Sequence, residues 1–326
     1  MDSVDLDALD QDLLEALQFD GRAPFSHLAR RLGVSERTVA RRYQRLRGLG
    51  LRIVGRPNPT RLGLVRWLLR LRCTPDAAGT IADALARRPD TSWVTLASGG
   101  TELYCAVNTR TSDERNALLL HKLPRTPHVL SVSAHCMMRT FVGATSTWHA
   151  TRFRPATPAV DSAVTPADAV DSGTRVGPLS LDATDRTLFA ELARDGRATL
   201  PELSKATGRS PSSVQRHLER LRGEDALDLS VDFDPQLLGY HMSTQIWLNV
   251  APAHLRTVGE TLAGHPAIAF AAAITGTSNL VASAVFRTPA DLYDYIDRRI
   301  GPLPGIQNLE TTPTLREVKR LAPALP

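Results

Sequence analysis

LDALDQDLLEALQFDGRAPFSHLARRLGVSERTVARRYQRLRG (residues 6–48) and LDATDRTLFAELARDGRATLPELSKATGRSPSSVQRHLERLRG (residues 181–223) align without a gap, at a constant offset of 175 and with 19 of 43 positions identical. Unrelated segments agree at only a few positions, so a repeat of this length marks a duplicated domain rather than a solenoid. In the first copy, Asp7 precedes Leu9, Leu13, Leu14 and Leu17, the spacing of an amphipathic helix that Asp20-Gly21 stops. Phe25, Leu28, Ala29 and Leu32 form a second short helix ending at Gly33, a left-handed terminator. Ser35 caps a third helix, and in the second copy Ser210-Pro211 puts a capping serine before a proline at the first helical position. Short helices joined by a Gly-containing turn are a helix-turn-helix.

The third helix carries the function. Val39, Tyr43 and Leu46 share one face, and Arg37, Arg41, Gln44 and Arg45 the other, with Thr38 at the edge. In the second copy Val214, Leu218 and Leu221 are the apolar back, Ser212, Arg216, Glu219 and Arg220 point outward, and Ser213 stands at the edge. A recognition helix needs this layout, with outer side chains that reach phosphates and base edges. In one copy a solvated basic face would look the same. Two copies, each with Arg at both equivalent outer positions, favour DNA. The copies are unequal. Residues 21–47 hold eight Arg and one Glu, whereas 196–222 hold six basic and two acidic residues. Non-specific affinity scales with neutralised phosphates, so the first head is expected to dominate it.

After Arg61 the period becomes alternating. Trp67, Leu69, Leu71 and Cys73 alternate with Arg66, Leu68, Arg70 and Arg72, a half-buried strand. A helix (Ala78, Ile81, Ala82, Leu85), strands at 92–97 and 103–108, a helix near 114–122 and a strand from Val129 to about Met138 complete a βαββαβ order, which is ferredoxin-like. The second half repeats it over 243–318. The expected class is α+β, a winged-type helix-turn-helix plus a ferredoxin-like βαββαβ domain, the pair duplicated. The boundaries are 1–60 and 61–142 for the first unit, a flexible linker at 143–178 rich in Pro, Ala, Thr, Ser and Asp, then 179–235 and 236–326 for the second unit.

Leu181–Arg222, followed by Asp234-Pro-Gln-Leu-Leu-Gly239, resembles the opening of the Lrp/AsnC, or feast/famine, transcriptional regulators, and the first copy resembles it nearly as well. The resemblance implies DNA binding through Ser35–Arg47 and Ser210–Arg222, with Ser35 and Ser210 in the set. It also implies dimerisation through the sensor sheets, homo-oligomers, and an amino-acid effector at the Gly-rich turn between the second and third strands of each unit. That turn is Gly99, Gly100, Thr101 and Glu102 in the first half and Gly276, Thr277, Ser278 and Asn279 in the second. The family turn resembles Gly-x-x-Asp. An acid that would hold an amino group is Glu102 in one half and the neutral Asn279 in the other. The same glycines also suit a tight hairpin needing φ > 0. Fusion of two units makes the chain a covalent pseudo-dimer.

Composition excludes other classes. A net charge of +5 suits an anionic partner, and 42% hydrophobic with 22% charged residues is ordinary for a globular protein. The N-terminus MDSVDLDALD has no apolar core of a signal peptide, and no run nears the roughly 18 apolar residues of a membrane span, so a cytoplasmic protein is expected. Cys73, Cys105 and Cys136 are odd in number and without metal spacing, and are expected to be reduced, mostly buried thiols. No P-loop, Ser-His-Asp set or metal-ligand spacing appears, so no catalytic residue, metal or cofactor is expected. Two rivals use the same scaffold. One is a siroheme-decarboxylase-like enzyme, which would need His and Arg around a tetrapyrrole. The turns 98–103 and 275–280 hold no His. The other is a DNA-architectural protein with a silent sensor.

Overall fold

A computed structural model describes residues 6–143 and 177–320. All but Gly143, Gly177 and Pro178 of the expected linker lies outside the described residues. The first half runs α1 (Ala8–Phe19), α2 (Phe25–Leu32), α3 (Glu36–Gly48), β1 (Arg52–Pro57), β2 (Val65–Cys73), α4 (Pro75–Ala86), β3 (Thr91–Ala97), β4 (Glu102–Thr109), α5 (Ser112–Asn116) and β5 (Val129–Val142). The second runs α6 (Ala183–Arg194), α7 (Leu200–Thr207), α8 (Pro211–Gly223), β6 (Leu227–Asp232), β7 (Met242–Val250), α9 (Leu255–Gly264), β8 (Ile268–Ile274), β9 (Leu280–Phe286), α10 (Pro289–Tyr295) and β10 (Ile306–Lys319).

Each helix-turn-helix closes over a small core. Leu13, Leu14, Leu17, Val39 and Leu46 are buried in the first head, and Leu188, Phe189, Leu192, Val214 and Leu221 in the second. The wings exchange. β1 pairs antiparallel with β6, from Arg52 opposite Asp232 to Pro57 opposite Leu227. Val231 of the second half thereby packs into the core of the first head. Gly55 of β1 in turn lies so close to Leu192 that a Cβ would stand 2.5 Å from the leucine Cβ.

Each ferredoxin-like half has the strand order 4-1-3-2, β5-β2-β4-β3 and β10-β7-β9-β8. The two sheets join into a closed eight-stranded barrel. The long strands make the closure. Residues 129–136 of β5 pair with β2 and residues 137–142 with β8. β10 does the same, pairing over 306–313 with β7 and over 314–319 with β3. Closure leaves no open edge within the barrel.

The closure also changes the reading of β2. Trp67, Leu69, Leu71 and Cys73 pack under α4 as expected. The opposite face, expected to be the wet side of a half-buried strand, is inside the barrel. Leu68 is 3% exposed there and packs with Tyr104, Trp247 and Ile274. Arg66 and Arg70 flank Leu68 on that face and point to opposite ends of the interior. The last strand of the first unit also runs farther than expected, to Val142, because β8 supplies a partner for its second half.

Candidate nucleic-acid interface and effector cleft

The recognition helices are built as their caps dictate. The hydroxyl of Ser35 accepts from the Thr38 amide at 3.1 Å and that of Ser210 from the Ser213 amide at 3.3 Å. Gly33 and Gly208 turn the chain with φ of 66° each. Val39, Tyr43 and Leu46 are buried, as are Val214, Leu218 and Leu221. Ser35, Arg37, Arg41 and Gln44 are exposed on α3, and Ser210, Ser212 and Arg216 on α8, with Thr38 and Ser213 half-buried at the edges. Glu219 is exposed and accepts from Gln215 Nε2 at 2.6 Å.

Arg45 and Arg220 are drawn back from that face. Asp10 of α1, fully buried, takes ion pairs from Arg45 and Arg42. Asp185 of α6, also fully buried, takes Arg220 and, at 2.9 Å, His217. Burial alone would raise the Asp185 carboxyl. Arg220 and His217 overcome that and hold it below the ordinary value of 3.8. These pairs fasten each recognition helix to the first helix of its head. Asp182, Asp185 and His217 lie close enough to suggest a metal, but the oxygens of Asp185 are taken by His217 and Arg220, and Asp182 caps α6.

The repeated DGRA run performs a task the sequence reading did not assign. Arg22 donates to the carbonyl oxygens of Gly196 and Ala198, both at 2.8 Å. Arg197 donates to those of Gly21 and Ala23 at 2.6 and 3.0 Å. Asp195 and Asp20 receive Arg47 and Arg222 at 3.7 and 3.4 Å. Arg197 also lies over the rings of Phe25 and Tyr43. The two heads are clamped reciprocally, and Arg22 and Arg197 are spent on each other's backbone instead of on an outward face. The available signal was that DGRA, one of two identical four-residue runs, lies off the recognition helix.

The Gly-rich turn residues split in role. Gly99 and Gly100 have φ of 68° and 82° with open space where a side chain would stand, so backbone conformation alone demands glycine there. Gly276 has φ of 122°, and a Cβ would meet His135 Nδ1 at 2.5 Å. Thr101 donates to the Ser98 carbonyl within the turn. Asn279 bonds the backbone of Val250 with both ends of its amide, at 2.9 and 2.7 Å, and so acts as a strand clamp. Glu102, 7% exposed, accepts from Arg70, Tyr104 and Ser98. Burial raises its carboxyl, but these donors hold it below the usual range.

Glu102 opens into a polar cleft of about 270 Å³ that both halves line. Arg70, Arg72, Glu102 and His135 come from the first half, and Trp247, Thr277, Ser278 and Glu310 from the second. Arg70 bridges Glu102 at 2.9 Å and Glu310 at 2.6 Å, with its guanidinium 5.4 Å from the centre of the Trp247 ring. Trp247 stands 177 residues beyond Arg70, the offset that relates Gly99 to Gly276, so two positions equivalent by duplication face each other there. Cys73 and Cys105 are buried and Cys136 half-buried, all three free thiols. Burial pushes the Cys105 thiol up to about 12.

Known proteins agree with this organisation. The AsnC-type helix-turn-helix domain matches residues 6–47 and 181–222, and the Lrp/AsnC ligand binding domain matches residues 244–323. The HTH-type transcriptional regulator FL11 of Pyrococcus horikoshii is 29% identical over 140 residues, which are 43% of this chain and 92% of that protein. An uncharacterized HTH-type transcriptional regulator of Pyrococcus furiosus is 30% identical over 121 residues, 36% of this chain and 82% of its own length. The crystal structure of the siroheme decarboxylase NirDL superposes with a TM-score of 0.62 over 97% of this chain and 94% of that one, at 16% identity, a likeness of fold. With the helix-turn-helix domain matched twice, the ligand-binding domain matched once, and a 30% identical regulator covered over most of its length, the chain belongs to the Lrp/AsnC family of transcriptional regulators.

Proposed function

We propose that the chain works as a sequence-specific DNA-binding regulator in the cytoplasm, in which two unlike heads read adjacent half-sites on double-stranded DNA. The observation that carries this is the reciprocal Arg22–Arg197 clamp, which holds two exposed recognition faces as one unit. Ser35, Arg37, Thr38, Arg41, Gln44 and the exposed edge of Arg45 would contact one half-site. Ser210, Ser212, Ser213, Arg216 and the edge of Arg220 would contact the other. Because Arg37, Thr38 and Gln44 of the first head correspond to Ser212, Ser213 and Glu219 of the second, the operator is an imperfect palindrome. The polar cleft suits the two charges of an amino acid, with Glu102 and Glu310 toward its ammonium and the exposed Arg72 toward its carboxylate. The two sheets joined in one barrel support a reading in which the dimerisation expected of them is met within one chain. Homo-oligomers would then build on the outer helices, where Leu120 and Tyr293 are 62% and 69% exposed. Among the described residues, no helix is long and apolar enough to cross a membrane.

In-vitro selection of genomic fragments with the full chain, with and without amino acids, tests the reading. Enrichment of an asymmetric pair of half-sites is expected, with occupancy changed by at least one amino acid. A perfectly symmetric site, or no enrichment, would overturn the reading of two unlike heads.

A second reading, an enzyme like NirDL, is favoured by the likeness of fold along nearly the whole chain. Against it, the cavity between heads and barrel has about 190 Å³ and no histidine in its lining, and the polar cleft, where His135 stands with Arg70 and Arg72, has about 270 Å³. Both are below the roughly 300–1,000 Å³ of pockets for drug-sized ligands, and a tetrapyrrole is larger still. A tetrapyrrole absorbance band on the purified chain would revive that reading.

A further inference from the structure

The interior of the barrel has two mouths, and the one beneath the heads is chemically unlike the polar cleft. Its walls are α1, the paired wings β1 and β6, and strands from both sheets. Leu68, Trp93, Met137 and Phe270 make most of the lining apolar. Into this apolar space come two arginines. Arg56 of β1 is 8% exposed, and its buried Nη1 has no hydrogen-bond partner among the described residues. Arg66 of β2 has a buried Nε that is likewise unpartnered.

Their surroundings compensate their charge only in part. Desolvation works against the charge of Arg66, bringing it to about 10, and the charge that acts on it is that of Arg56, of the same sign. Its guanidinium lies 5.9 Å from the centre of the Phe270 ring, a weak substitute for an anion. Arg56 feels Asp228 and Asp232. Yet burial pushes the Asp228 carboxyl up to about 6, and its oxygen is bonded to Ser230. Glu317, also at the cavity, is held by Arg320 at 2.9 Å. Buried donors left open cost far more than paired ones, and an uncompensated buried charge more again.

We propose that this cavity is a second ligand site, separate from the polar cleft, and that it takes a carboxylate with a ring-sized apolar body. The Arg56 and Arg66 guanidinium groups meet the carboxylate oxygens, and the apolar wall takes the body. The volume fits that class, since a dry cavity of roughly 150 Å³ holds benzene, and this one has about 190 Å³. The chemistry differs from that of the polar cleft, where an ammonium would meet Glu102. A ligand here touches heads and barrel at once, so its binding stabilises the whole unit.

Phenylacetate is the probe, titrated calorimetrically into the full chain, with phenylacetamide and acetate as controls. Phenylacetate is expected to bind at a single site and to raise the melting temperature. The amide lacks the charge and acetate lacks the ring, so each is expected to bind about tenfold more weakly or worse. Arg56→Gln and Arg66→Gln each weaken phenylacetate binding by about ten- to a hundredfold, the range for losing a hydrogen bond to a charged group. Ser283→Leu, which fills the cavity while leaving both arginines, abolishes binding and guards against misfolding of the arginine variants. Equal binding of acid and amide, equal binding of acetate and phenylacetate, no binding of phenylacetate at millimolar concentration, or unchanged binding to Ser283→Leu would each overturn the proposal. None of these outcomes bears on DNA recognition or on the polar cleft.

Discussion

Asp10 and Asp185 occupy the same place in the two heads, each fully buried beneath its recognition helix, yet the partner that is Arg42 in the first is His217 in the second. The second partner is an arginine in both, Arg45 and Arg220. A similar contrast runs through the molecule. In the clamp between the heads the copies match, as Arg22 and Arg197 do on each other's carbonyls, whereas the paired wings differ at every position. On the outward faces and toward the cleft they share Arg41 with Arg216 but differ elsewhere, with Arg37 against Ser212, Glu102 against Asn279 and Arg70 against Trp247. Mutual packing requires both copies to keep the same shape. A shared operator or a shared cleft does not.

The largest expected effect tests the buried carboxylates. Asp10→Ala or Asp185→Ala leaves inward-held cations without their anion and costs about 3–5 kcal/mol, read as a fall in the urea midpoint. The pH dependence follows from Asp185. Its folded pKa is depressed, so its contribution is complete above the ordinary carboxylate value of 3.8 and is lost as pH falls through the lower folded value. Asp185→Asn is expected to flatten the acid limb of stability below about pH 4. A limb unchanged by that substitution would break the comparison at its root.

Next comes the clamp. Each of Arg22→Ala and Arg197→Ala removes two charge-assisted hydrogen bonds and is expected to cost about 1.5–3 kcal/mol, with Arg197 somewhat the costlier because it also lies over Phe25 and Tyr43. Susceptibility of the heads to a protease, together with the urea midpoint, measures it. Strongly unequal losses would mean that the clamp is not reciprocal in energy. The smallest effect separates the outer faces. Arg41→Ala and Arg216→Ala each lower the salt slope of DNA binding by about one. The loss in affinity is expected to be larger at Arg41, in the head with more arginine. A larger loss of slope at Arg216 would reverse the proposed order of the heads.

Local structure was legible in the sequence because its signals are local. Ser35, Ser210, Gly33 and Gly208 sit where their caps and turns require, and the βαββαβ order follows from changes of period. What joins the halves was not legible. The face of β2 bearing Arg66, Leu68 and Arg70 alternates like a solvated face, and only the second sheet closing over it makes it an interior. Arg45 lies outward by helical angle, but Asp10 supplies a stronger partner from another helix. At the candidate cleft, Glu102, Thr277 and Ser278 fall where the repeat suggested. Asn279 is not among the residues that line the cleft, and its amide is engaged by the backbone donor and acceptor of Val250.

The crossing of β5 and β10 has a consequence for how the chain is made. β3 waits for β10, whose Thr314 pairs with Ala97, 217 positions earlier. At roughly 5–20 residues per second that interval lasts on the order of 10–40 s. For most of it the first half is complete, with the outer edge of β3 and the far end of β5 unpaired, two sheet edges ready to bind any strand. Synthesis of the second half is therefore also the capping of the first, and a stall between them exposes an adhesive half-barrel.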